Sequence, residues 1–263
     1  MVTADTPVIT LQNRSFKFGE GLFETIRVDH GTIPLANFHR DRLFKSMETL
    51  HMPIPERNVW QQWMDELLQL CALNDCSQHA RVRLTITTNE NEIMYGMEAT
   101  TLDPSYLVWN KKGEVIDICP LVQKQVDHFS NIKATNYLLY LMAGHYAREN
   151  KLDDCLVLNS HNNISDSTRA NVFLVKDGEM YTPALDQGCI QGVMRQKLII
   201  ELEKKGNKVH QQAINKEDLQ KAQEVFLTNA LYGLRWVRSF GTTNYEHAFS
   251  SQLYHEIIAT IFS

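Results

Sequence analysis

The chain has 263 residues, 43% of them hydrophobic and 22% charged, with a formal net charge of −5. This is the composition of a globular protein with room for one large domain or two modest ones. It excludes the basic footprint of a nucleic-acid binder, because "NKKGE" and "EKKGNK" are short lysine runs between turn residues and read as solvated loops.

The start "MVTADTPVITLQNRS" has no basic, apolar and small-residue succession of a secretion signal. No window approaches the roughly 18 uninterrupted apolar residues of a membrane span. A cytoplasmic protein without a membrane partner is expected. Cys71, Cys76, Cys119, Cys155 and Cys189 lack a second Cys/His pair at zinc spacing, so they read as reduced buried thiols, with no metal.

In chain order, "LFETIRVDHGTIPL" reads as a hairpin turning at Asp29-His30-Gly31. "NFHRDRLFKSMETLHM" reads as a helix N-capped by Asn37, with Phe38, Leu43, Met47 and Leu50 on one face. A second amphipathic helix follows in "ERNVWQQWMDELLQLCALND", then the β-branched strand "ARVRLTITTNE". Residues 105–121 hold an inter-domain crossing, with the connection itself at 111–121. After it, Lys133 stands at the head of an apolar run, "YLLYLMAGHYAREN", that reads as a buried helix. The strand "CLVLNS", a turn at "HNN" and a hairpin across Asp177-Gly178 come next. "GVMRQKLIIELEKKG" is a helix closed by Gly206. The strand "NKVHQQAI", a short helix capped at Asn215, the strand "EVFLTNA" and a C-terminal helix near "SQLYHEIIATIF" complete the chain. Strands and helices alternate without a βαβ rhythm, which fits two α+β domains better than one doubly wound sheet.

No Walker loop, dinucleotide fingerprint, nucleophile elbow or HExxH occurs. What remains is a set of features that combine. Lys133 precedes a helix, and Asp166 lies in "ISDSTRANVF". "DQGCIQGVMRQ" puts glycines before a helix whose free N–H groups can hold a phosphate, to which Arg42 adds a guanidinium. A lysine, a phosphate cradle and a carboxylate are the three handles that pyridoxal phosphate requires.

These blocks resemble the class IV aminotransferase family, the fold-type IV pyridoxal-phosphate enzymes. The resemblance is carried by "FKFGEGLFETIRVDHGTIPLANFHRDRL", by "IKATNYLLYLMAGHYARENKLDDCLVLN" and by "DSTRANVF", Thr182 and "IQGVMR". It runs from about Arg14 to the C-terminus. It implies a small N-terminal α/β domain at 1–110, the connection at 111–121, and a larger barrel-like domain at 122–263, assembled as a homodimer. By the same resemblance Lys133 forms the Schiff base with the cofactor and shuttles the Cα proton. Arg42, Gly192 and the backbone N–H groups of Val193 and Met194 hold its phosphate, and Tyr137 contacts the ring hydroxyl. Asn229 and Ala230 contact cofactor or substrate, and Asn171 holds the loop behind the ring. Asp166 meets the ring nitrogen where the family usually has glutamate, with Ser167 adjusting beside it.

The family's reactions divide between transamination of branched-chain or D-amino acids and the lyase cleavage of 4-amino-4-deoxychorismate to p-aminobenzoate and pyruvate. Thr25, whose hydroxyl could assist proton transfer, the block "YTPALDQGCIQGVMRQ" and "FLTNALYGL" lean towards aminodeoxychorismate lyase. "TTNENEIMYG" lacks the Arg-x-His carboxylate trap of the D-amino acid enzymes. Arg83 and Leu231 are the candidates for substrate contact. A third reading is a non-catalytic relative that only binds the cofactor.

Overall fold

The computed structural model describes residues 6, 8–56, 58–89 and 92–262. After a short helix α1 (Arg14–Phe18), strand β1 (Gly21–Asp29) pairs antiparallel along its length with β2 (His79–Asn89). Strand β3 (Glu92–Thr101) then pairs with β2 to complete a three-stranded sheet. Alternation gives this sheet two chemically distinct faces. Leu22, Ile26 and Val28 of β1, with Val82, Leu84 and Ile86 of β2, are fully buried. They pack against Leu43 and Met47 of α2 (Ala36–Thr49) and Trp63 and Leu67 of α3 (Val59–Leu73). The opposite face carries Thr25 across from Arg83 and Arg27 across from Arg81.

Two local expectations fail here. The segment after β1 does not return as a hairpin strand; only an isolated bridge joins Asp29 to Thr32, because β1 takes its partner some fifty residues later. Asn37 is not the N-cap of α2. The cap is Leu35, with no side-chain bond, and Asn37 lies within the first turn.

The second sheet has nine strands. It uses β4 (Glu114–Lys124), β5 (Asp154–Asn159), β6 (Ile164–Ser167), β7 (Asn171–Lys176), β8 (Glu179–Pro183), β9 (Val209–Gln212), β10 (Glu224–Asn229), β11 (Gly233–Phe240) and β12 (Thr243–Asn244). Their spatial order is β6-β5-β4-β11-β10-β7-β8-β9, with β12 beside β11, and the sheet curls into a half-barrel. Most of the expected connection at 111–121 is therefore strand β4, parallel to both β5 and β11. The β7–β8 hairpin forms as read, with Asp177 and Gly178 both at positive φ, as a two-residue turn of this kind requires. One face of the sheet packs Phe173 and Phe226 against α5 (Val193–Lys204) and the C-terminal helical segment, which runs from α7 (Ala248–Leu253) through one wider turn to α8 (Ala259–Ile261). A short α6 (Lys216–Lys221) is capped by Asn215 as expected.

Lys133 does not open a buried helix. The helix α4 begins five residues later, at Leu138–Glu149. Lys133 lies in an extended segment that bridges to β1, where its carbonyl accepts from the Phe23 N–H and Thr135 N–H donates to Gly21. Only one side of α4 is covered, through Tyr140, Ala143 and Ala147, while Leu138, Leu141 and Met142 are exposed. An apolar helix need not be a buried one.

Candidate active site

The Lys133 segment, the first sheet's polar face, β6, the loop before α5 and the turn after β10 enclose a cavity of about 350 Å³. That is the size of a small-molecule site. Its wall includes Thr25, Arg42, Arg83, Lys133, Tyr137, Asp166, Gly192, Val193, Asn229, Ala230 and Leu231, so nearly every residue singled out in the sequence converges there. Met194 is the exception. Its side chain is fully buried in the core, and only its backbone N–H, in the first turn of α5, is positioned to serve an anion.

Lys133 approaches the rings of Phe23 and Tyr137, with Nζ 4.4 and 5.5 Å from their centroids. Burial, reinforced by the Arg42 charge, pushes its amine down to about 7. A substantial fraction is thus neutral, and nucleophilic, near neutral pH.

Arg42 is held from below. Its Nε donates to Glu24 Oε1 at 2.8 Å, its Nη2 to Glu24 Oε2, and its Nη1 to the Gln191 carbonyl at 3.0 Å. Glu24 also receives His39 Nδ1 at 2.6 Å. Burial alone would raise the Glu24 carboxyl, but Arg42 and His39 overcome it and hold it at about 2. Two of the five guanidinium N–H donors remain for a ligand.

The anion cradle is shaped by the loop before α5. Asn131 Nδ2 donates to the carbonyls of Leu185 and Cys189, and Gln191 N–H donates back to Asn131, which ties this loop to the lysine segment. Gly192 has an ordinary φ, yet a Cβ there would lie 1.8 Å from Asn171 Oδ1. Glycine is required by close approach. Asn171 is indeed used structurally, its Nδ2 donating to the Ile190 carbonyl at 2.8 Å.

Asp166 is 2% exposed, and its two oxygens differ. Oδ2 accepts from Tyr140 Oη at 2.8 Å, Ile190 N–H at 3.0 Å and Lys124 Nζ at 3.3 Å. Oδ1 is buried with no hydrogen-bond partner. Thr228 Oγ1 is a second buried, unpartnered oxygen on the cavity wall. Buried polar atoms without a partner are rare, and on a cavity wall they mark where a ligand or water can supply one.

Tyr137 donates its hydroxyl proton to the Thr168 carbonyl at 2.8 Å, so towards the cavity its oxygen can only accept. Burial keeps that phenol protonated. Asn229 spends its side chain on its own turn, accepting from the N–H groups of Leu231 and Tyr232 and donating to the Arg169 carbonyl. With Ala230 and Leu231 it offers the cavity a shaped backbone.

Sequence reasoning missed Arg81, Arg169, Thr228, Tyr140 and Lys124. The first two line the cavity with Arg42 and Arg83, so four arginines and Lys133 stand against one carboxylate, Asp166. Arg81 was legible as the residue two before Arg83 on the same strand face. The partners of Asp166 carried no local signal. A separate cluster at the far end of β1, Asp29, His30 and His79, brings three donor atoms within 4.8 Å, but Arg27 already neutralises Asp29.

The sequence pattern of the Amino-transferase class IV family matches residues 21–240. An aminodeoxychorismate lyase of Vibrio harveyi is 27% identical over 236 residues, covering 86% of this chain and 85% of that protein. A D-alanine aminotransferase of Listeria monocytogenes is 23% identical over 236 residues, covering 87% and 81%. The crystal structure of a candidate 4-amino-4-deoxychorismate lyase from Legionella pneumophila superposes with a TM-score of 0.88 at 25% identity, covering 98% and 97% of the two chains.

Proposed function

Because the chain belongs to the class IV aminotransferases, which are pyridoxal-phosphate enzymes, we propose that it is the lyase that cleaves 4-amino-4-deoxychorismate to p-aminobenzoate and pyruvate. The residues present fit the cofactor: an amine of lowered basicity, an unpartnered carboxylate oxygen, and a cradle that a Cβ at position 192 would fill.

When bound, the protonated ring of the cofactor withdraws electrons from the substrate's Cα. In this reading Lys133 holds the cofactor and moves the proton at Cα, being neutral often enough to accept it. Arg42 and the N–H groups of Gly192, Val193 and Met194 would hold the phosphate, and Asp166, through its unpartnered Oδ1, would hold the ring nitrogen protonated. The Tyr137 oxygen would meet the ring hydroxyl, and Thr25, on the cavity wall across from Arg83, would offer a hydroxyl to assist proton transfer. Asn229, Ala230 and Leu231 confine the substrate.

The observation that carries the lyase reading is the surplus of arginine. With Arg42 engaged by Glu24 and assigned to the phosphate, and Arg169 paired with Asp154, Arg81 and Arg83 remain on the wall without an acidic partner in contact among the described residues. A substrate with two carboxylates uses such a wall, whereas a small monocarboxylic amino acid leaves most of it idle. The likeness to the D-alanine aminotransferase keeps transamination as the second reading. The exposed Leu138, Leu141 and Met142 on α4, with Phe16, Phe18 and Phe129, support a homodimer. Among the described residues no helix is long and apolar enough to cross a membrane.

The test adds 4-amino-4-deoxychorismate to cofactor-loaded protein and follows p-aminobenzoate by fluorescence. Catalytic release is expected. A loaded protein that releases none, yet exchanges amino groups between amino and keto acids, would overturn the lyase reading in favour of the aminotransferase.

A further inference from the structure

Lys124 is the last residue of β4, and its side chain is 10% exposed. A buried ammonium is costly unless it is paired and hydrogen-bonded. Here it meets two groups, the Asp166 carboxylate at 3.3 Å and the hydroxyl of Tyr140. Tyr140 passes the contact on, donating its own proton to the same Asp166 oxygen at 2.8 Å. All three donors gather on Oδ2, while Oδ1 receives nothing.

We propose that Lys124, seconded by Tyr140, is a positioning residue that keeps the proton shared between Asp166 and the cofactor on the ring nitrogen rather than on the carboxylate. The physical argument is one of competition for a single proton. In a low-dielectric site a lone carboxylate facing a pyridinium has an alternative, the neutral pair of carboxylic acid and pyridine, which removes two buried charges. A cation in contact with the carboxylate penalises that alternative, because protonating Asp166 would leave Lys124 unpaired. Lys124 touches Oδ2, which leaves Oδ1 as the oxygen free to meet the ring, so its charge would act more strongly on the carboxylate than on a ring held at Oδ1. The fixed Oδ2 also sets the carboxylate's rotation, which matters more for an aspartate than for a side chain one methylene longer.

The other groups facing Asp166 do not substitute for Lys124. Tyr140 and Tyr137 are both held protonated by burial, and the burial-raised Cys189 thiol is neutral as well. Ile190 contributes an uncharged N–H. Lys133, from the other side of the cavity, is itself consumed by the cofactor in the reading above. Asp154 adds a further negative charge acting on Tyr137. Lys124 is the cation in contact with the carboxylate.

This inference rests on the cofactor assignment and holds for either reaction, lyase or transaminase. It is tested without turnover, by the nitrogen NMR resonance of protein loaded with pyridoxal phosphate labelled at its ring nitrogen. Wild type and Lys124→Arg should show the protonated-ring resonance near neutral pH. Lys124→Gln, which keeps a donor but not the charge, should move it towards the unprotonated position, and Tyr140→Phe, which keeps the ion pair, should move it less. In an Asp166→Asn background, Lys124→Gln should cause no further shift. A Lys124→Gln protein that retains the protonated resonance would overturn the proposal, since a merely structural lysine would lower the melting temperature and leave the resonance in place. Should Lys124→Gln fold without retaining the cofactor, restoration of loading by Lys124→Arg upholds the proposal and equal loss in both variants overturns it.

Discussion

Two buried carboxylates, Glu24 beneath Arg42 and Asp166 on the cavity wall, have been finished differently. Glu24 is 1% exposed and both of its oxygens are occupied, by Arg42 and His39. Asp166 is 2% exposed and also paired with a cation, Lys124 at 3.3 Å, yet all its donors crowd one oxygen. Burial and charge pairing are therefore the same in kind, and only satisfaction separates them. A fully satisfied buried acid reads as scaffold; one with an orphaned oxygen on a cavity reads as a ligand contact.

The comparison can be broken most directly at the cavity's lysine, Lys133. Lys133→Met should abolish turnover, by ~10³-fold or more, and remove the visible band of the cofactor-loaded protein. The same change should stabilise the cofactor-free protein. The folded state lowers the Lys133 amine from its ordinary 10.5 to about 7, so charging it penalises the folded state. That penalty is fully present below pH 7, shrinks as pH rises, and vanishes above the unfolded value. The melting-temperature gain of Lys133→Met should follow that course; a gain that grows with pH would contradict the buried-amine picture.

The two acids themselves come next. Glu24→Ala leaves the buried Arg42 without its counter-ion and should cost about 3–5 kcal/mol of stability by denaturant titration. Asp166→Asn should cost the cofactor-free fold less and weaken cofactor binding more. If the two variants behaved alike, satisfaction of the carboxylate would not be the distinguishing property.

Arg83→Gln should raise the KM for a dicarboxylic substrate by roughly 10–100-fold, the scale of one lost charge-assisted hydrogen bond. Arg81→Gln should raise it less, and neither change should alter the cofactor spectrum. Smallest of the set, Gly192→Ala should weaken cofactor binding about tenfold by crowding Asn171, ~1.4 kcal/mol. Asn171→Gly should recover part of that loss, an outcome that separates crowding at the cradle from a general loss of folding.

How much of this was legible in the chain depends on the range of the interaction that decides it. The β7–β8 hairpin, the capping of α6 by Asn215 and the closure of α5 near Gly206 are written within a few residues, because turn and cap geometries are local. Lys133, Arg42, Asp166 and Gly192 are grouped as candidate cofactor contacts by residue type, and Tyr137 by family resemblance; the cavity brings all five together. The connection expected at 111–121 overlaps β4, a strand edged with charges in "GEVIDICP" whose place in the sheet is set only by its pairing with β5 and β11.

What only the tertiary structure decided is every relation between distant segments. The sequence marks β1 as a strand but cannot say that its partner is β2 rather than the nearby return, since pairing is settled by the shared apolar face. It marks α4 as apolar but not which side is covered, because periodicity records a stripe and not its neighbour. Lys124 and Tyr140 were unremarkable until the fold carried them, 42 and 26 residues away in the chain, onto one oxygen of Asp166. The chain determined which chemical groups are present and which short segments are regular. Folding alone determined which polar atoms were left without a partner, because satisfaction is counted only after every distant donor has been placed.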